Sequence, residues 1–132
     1  MTWTDVVREV QGVLDVFEGR PPRLDDIEIH QVLVDADGQA VRLRFDLGEF
    51  PEHPPAKWVE REANVVQVDL GLGNLAHLAI TGVLAPAIGE ITVAGVSGNI
   101  ELTAVVGSFR VEAVGEMAWI RRLSAYKRGT SW

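Results

Sequence analysis

The chain has 132 residues and no cysteine, so disulfide and thiolate chemistry are excluded, while its length allows a core without metal or covalent staples. Its 12 basic and 19 acidic side chains leave a formal charge of −7; an acidic body of this kind repels phosphate backbones and argues against nucleic-acid binding. The same acidity suits solubility, and equally the steered approach of a basic protein partner.

Residues 4–18 read as an N-terminal helix. Val6, Val10, Val13, Leu14 and Phe17 form an apolar stripe of helical period, Thr4 stands as a cap, and Gly19 with Pro21 and Pro22 stops the segment. After the prolines the period becomes two. Ile27, Ile29 and Leu33 are expected on one face, with Val32 and Val34 blurring the alternation. "DADG" at 35–38 is a turn in which Gly38 is expected to supply the positive φ, and "AVRLRFDL" points Val41, Leu43, Phe45 and Leu47 inward and Arg42, Arg44 and Asp46 outward.

Residues 64–72 alternate again, with Val66, Val68, Leu70 and Leu72 on one face. Further strands are expected at 74–82, 90–96, 99–106 and 108–114, the middle pair joined by the hairpin signal Ser97–Gly98–Asn99. Residues 116–127 fit either a short helix or a final strand. The reading is one domain over 1–132, α+β and mainly β. The N-terminal helix packs on an antiparallel, rolled or two-layer sheet of about seven or eight strands.

Charge is distributed unevenly along this scheme. Residues 1–120 hold 8 basic and 19 acidic side chains, net −11, whereas Arg121, Arg122, Lys127 and Arg128 give the C-terminal element and tail net +4. The N-terminus lacks a basic stretch followed by an apolar run, and no apolar stretch approaches the roughly 20 residues of a membrane helix. The expectation is a soluble, cytoplasmic protein without membrane association.

No stretch carries a catalytic pattern. His30, His53 and His77 stand in no ligand spacing, although a metal site assembled in space would draw on Glu49 or Glu52; no metal or cofactor is expected. "GLGNLA" at 71–76 reads as a turn, since a dinucleotide loop needs a following helix. Ser97 sits in a hairpin, not a nucleophile elbow. Glu60 and Glu62 alternate on what reads as an extended segment.

The densest cluster of unusual residues is "PEHPPAKWVERE" at 51–62. Its prolines stiffen a strand-to-strand crossover. Trp58 is either an edge-packing anchor or a partner contact. Glu49, Glu52, Lys57, Trp58, Glu60 and Glu62, with the adjacent strand edge, are the expected partner-binding surface.

The order of features resembles the immunity protein 50 family, found beside bacterial polymorphic toxins. The resemblance lies in a helical segment ending near a proline (Phe17 to Pro22 and Leu24) and a strand with Ile27 and Ile29. It continues in Pro54, Pro55, Lys57 and Trp58, then Asn64 opening a strand with Val66, Val68 and Leu70. Gly82 at a strand end and "SFRVEA" at 108–113 complete it. The resemblance implies a non-catalytic cytoplasmic antidote that binds and blocks a cognate toxin domain. The other readings are a small-ligand-binding β module, and an enzyme whose carboxylates and His53 assemble in space.

Overall fold

A computed structural model describes residues 2–129. In chain order it contains a 3₁₀ turn (Trp3–Asp5), β1 (Val7–Arg8), α1 (Gln11–Val16), β2 (Glu28–Asp35), β3 (Ala40–Asp46) and α2 (Ala56–Glu60). Then follow β4 (Val65–Gly73), β5 (His77–Thr81), β6 (Glu90–Val96), β7 (Asn99–Val106), β8 (Phe109–Gly115) and β9 (Met117–Tyr126). The strands form a five-stranded sheet of order β1-β9-β4-β3-β2 and a four-stranded sheet of order β5-β8-β7-β6. Every pairing between named strands is antiparallel except that of β1 with β9.

The alternation predicts which side chains meet between the sheets. Val66, Val68, Leu70 and Leu72 of β4 are fully buried, as are Leu43 and Phe45 of β3, and they join Leu102, Ala104, Val111 and Ala113 in one apolar cluster. Each large aliphatic or aromatic side chain so buried contributes about 1.5–3 kcal/mol. The sheets meet at a corner where β4 leads to β5 and β8 leads to β9. There the Ala76 amide donates to the Val114 carbonyl (2.8 Å) and the Glu116 amide donates to the Gly73 carbonyl (3.0 Å). A Cβ on Gly115 would stand 2.6 Å from the Gly73 carbonyl oxygen, so the close approach of the two chains requires glycine there.

The N-terminal segment departs from the expected 4–18 helix. Only Gln11–Val16 is α-helical. The β-branched Val6 and Val7 sit in a stretch that favours extended backbone; Val7 and Arg8 pair with Ala118 and Trp119 of β9, and Glu9 at φ 58° turns the chain before α1. Val13 and Phe17 are buried as their spacing suggests, but of the stripe only Val13 and Leu14 lie within α1, with Val10 and Phe17 at its caps and Val6 before β1.

Three other details differ. A bulge between Ile29 and Gln31 shifts β2, so Val32 pairs with Leu43 and packs on the core while Leu33 pairs with Arg42; this displaces Leu33 from the face of Ile27 and Ile29. In the 35–38 turn the positive φ falls on Gln39 (47°), and the Asp35 carboxylate accepts the amides of Asp37 and Gly38. The segment around Glu60 is not extended: Glu60 ends α2 and Glu62 turns the chain at φ 56°. Residues 116–127, open between helix and strand in the sequence, contain the strand β9. The end of the basic tail, Trp132 included, lies outside the described residues.

Candidate functional site

The expected surface at 49–62 is assembled around α2. Pro55 takes the N-cap position, and its carbonyl accepts the amides of Trp58 (2.9 Å) and Val59 (3.2 Å). Trp58 is half-buried against the core and lies 6.2 Å, centroid to centroid, from the Phe50 ring. That anchor leaves Lys57, Val59, Glu60 and Arg61 exposed; Val59 retains 60 % of its accessible surface.

The carboxylates around the helix have separate duties. Glu49 pairs with Arg20 at 2.7 Å and accepts the Arg23 amide at 2.5 Å, tying the crossover to the loop after α1. Burial alone would raise the Glu49 pKa, but Arg20 and the Arg23 amide hold it below the ordinary carboxylate range. Glu62 pairs with Lys127 at 2.8 Å, and that ion pair lowers its pKa. Glu52 approaches His53 and Glu18, with His53 Nδ1 3.0 Å from Glu18 Oε1. All three are exposed, and exposed acidic groups come this close without an ion. The strand that follows, β4, lies between β9 and β3 in the sheet; the adjacent strand edge expected as part of the surface is therefore absent, because both sides of β4 are already paired.

A second constellation lies on the outer face of the five-stranded sheet. Register places Arg44 opposite Asp69 and Asp69 opposite Arg122, and Asp46 opposite Gln67 and Gln67 opposite Ser124. Beneath this row Asp46 is 3 % exposed. It accepts hydrogen bonds from Gln67 Nε2 (3.0 Å), His30 Nε2 (2.7 Å), Tyr126 Oη and an Arg128 guanidinium nitrogen. Burial would raise the Asp46 pKa, yet the bonds from Tyr126, Gln67 and His30 outweigh it and hold the group below its ordinary value. Burial, followed by the Asp46 carboxylate, pushes the Tyr126 phenol up. With both oxygens engaged and almost no exposure, Asp46 is placed to hold its neighbours in position.

Above Asp46 the sheet forms an open basin of about 490 Å³ lined by His30, Arg44, Arg61, Gln67, Arg122, Ser124 and Tyr126 together with Ala125. Arg61 belongs to the turn after α2, so the basin adjoins the helical surface. A second, more apolar concavity of about 530 Å³ runs beside β6 under Trp3 and Val6. Both open to solvent, and the space between the sheets is filled by the apolar cluster.

Sequence reasoning did not find the basin as a site. Its signal was the outward alternation of Arg42, Arg44 and Asp46 and of Gln67 and Asp69, which needs the β3–β4–β9 pairing to become a constellation. Trp119 has a related signal. Cβ atoms on Gly71 and Gly73 would each stand 2.9 Å from its ring, so the two glycines of "GLG" make room for an indole on this face.

No helix among the described residues is long and apolar enough to cross a membrane. The sequence model of the immunity protein 50 family matches residues 10–126, nearly the whole chain. No curated protein and no solved structure matches the chain.

Proposed function

Since the chain belongs to the immunity protein 50 family, we propose that it is a bacterial, cytoplasmic antidote of a polymorphic toxin system, neutralising a cognate toxin domain by protein–protein contact without catalysis. The contact surface in this reading is α2 and its flanks: Lys57 and Glu60 on the exposed side, Trp58 as the anchor beneath, and Glu49, Glu52 and Glu62 around it. The observation that carries the assignment is the exposure of Val59 beside Lys57 and Glu60 on a helix held from below by Trp58 and Phe50. An apolar residue ringed by charge on a rigid support provides a desolvatable centre with a polar rim.

Glu49 supports the surface from within through Arg20 and Arg23, whereas Lys57 and Glu60 have no ion-pair partner among the described residues. The test is association with the toxin domain encoded in the neighbouring reading frame, measured by stopped flow at low and high salt. Val59→Asp is expected to raise Kd by about tenfold or more, and a combined Lys57→Glu, Glu60→Lys change to slow association and alter its salt dependence. Unchanged rate and affinity in both variants would exclude this surface. Failure of the unmodified chain to bind or protect would exclude the antidote reading.

A further inference from the structure

The acidic chain carries a basic concavity. Arg44, Arg61 and Arg122 line the basin, and no carboxylate joins them in the lining. Of the nearby acidic groups, Asp46 is buried under its donors, Glu28 pairs with Arg128 (3.4 Å), Glu62 with Lys127 and Asp69, through one oxygen, with Arg42 (3.3 Å); Glu60, beside Arg61 in sequence, lies outside the lining. Arg44 donates only to the neutral amide oxygens of Gln31 (3.3 Å) and Gln67 (3.4 Å), which aim the guanidinium without neutralising it. Among the described residues, Arg61 and Arg122 have no ion pair. Acidic side chains outnumber basic ones by 19 to 12 in this chain, so a hollow lined by three arginines without an ion pair and by no carboxylate is a local reversal of its charge.

We infer that the basin is a carboxylate-recognition site that receives acidic side chains of a protein partner. The inference rests on the reading of the chain as a protein-binding antidote and extends its contact surface across Arg61 onto the sheet. Guanidinium forks match carboxylates in two parallel hydrogen bonds. The Ser124 hydroxyl adds a donor on the same face, while the Tyr126 hydroxyl is already given to Asp46. A long nucleic acid would leave the basin onto a surface with an excess of negative charge, whereas a short acidic segment ends within it. Charge complementarity with a confined hollow therefore favours protein carboxylates.

The inference is tested by two-dimensional NMR titration of the full chain with hexaglutamate, inorganic phosphate and oligothymidylate in parallel. Hexaglutamate is expected to shift the Gln67, Ser124 and Tyr126 resonances saturably and to weaken with salt. Combined Arg44→Glu and Arg122→Glu should weaken it about tenfold or more. Arg110→Glu, at a residue that pairs with Glu112 on the other sheet, serves as control and retains binding. Arg122→Gln alone gives a milder variant should the double reversal fail to fold, with weakening still expected.

Saturable hexaglutamate shifts lost in the basin variants establish the site. Absence of such shifts, equal binding by folded variants, tighter binding of oligothymidylate, or binding of phosphate alone overturns it. The toxin arm separates the two readings: a toxin bound by the unmodified chain and equally by the basin variants removes the basin from the interface. A toxin that binds neither removes the antidote reading and leaves hexaglutamate to decide the basin.

Discussion

The α2 segment and the outer face of the five-stranded sheet adjoin at Arg61, yet they are built on opposite plans. α2 is a local structure: prolines before it, Trp58 beneath it and Phe50 against it all come from one short stretch of chain. The sheet face is non-local, its row from Arg44 to Arg122 drawing on β3, β4 and β9. Around α2, Glu49 and Glu62 are tied into ion pairs, while on the sheet one buried carboxylate organises the floor and Arg44 and Arg122 above it have no ion pair among the described residues. The first region ties the charges at its flanks into its framework; the second holds its floor together through Asp46 and leaves the arginines above it unpaired. Variants that separate shape from availability therefore test the contrast.

The largest effect is expected at Asp46. Asp46→Ala leaves His30, Gln67, Tyr126 and Arg128 without their common acceptor, and a loss of about 3 kcal/mol is expected in denaturant unfolding. The pH dependence follows from the direction of the shift. A carboxyl whose folded pKa is depressed stabilises the fold fully above its unfolded value, near 4, and loses that contribution as pH falls through the lower folded value. The unmodified chain should thus lose stability below about pH 4, and Asp46→Asn should flatten that part of the profile. An identical acid limb in both proteins would show that Asp46 does not organise this floor.

A smaller cost is expected where Trp119 covers the glycines. Gly71→Ala places a methyl 2.9 Å from the indole, and overpacking of this kind costs about 1–3 kcal/mol. In a Trp119→Ala background the same change should be nearly neutral, so the coupling in a double-mutant cycle identifies the ring as the cause. Additive effects would place the strain elsewhere on the sheet.

The same local and non-local division explains what could be read from sequence. The β-rich class, the Ser97–Gly98 hairpin with both residues at positive φ, and the buried faces of β3 and β4 followed from alternation and turn chemistry within a few residues. The proline-framed cluster was conspicuous because composition is local too. The 4–18 helix failed because Val7 and Arg8 find a partner in β9, more than a hundred positions away, and this pairing overrides a helical spacing. Leu33 was misplaced because a bulge leaves no mark in the hydrophobic pattern. The basin stayed hidden for a related reason: each strand contributes only one or two ordinary outward residues, and only register makes them neighbours.

Trp58→Ala probes the local plan. Removing a half-buried ring that packs on Phe50 is expected to cost about 1–2 kcal/mol and to loosen α2. Hydrogen exchange of the Trp58 and Val59 amides, bonded to Pro55, should accelerate while those of β4 do not. Equal acceleration in β4 would mean that α2 and the sheet open as one unit, erasing the distinction between the regions.

The smallest effect is expected at Arg122. An arginine kept for stability should have an acceptor, and removing it should cost accordingly; Arg122 is exposed, has no ion pair among the described residues and faces Arg44 across the basin. Arg122→Gln should therefore change unfolding free energy by no more than about 0.5 kcal/mol. A loss well beyond that range would give Arg122 a part in holding the sheet together. Neutrality combined with weakened hexaglutamate binding would show a charge retained for what it meets outside the chain.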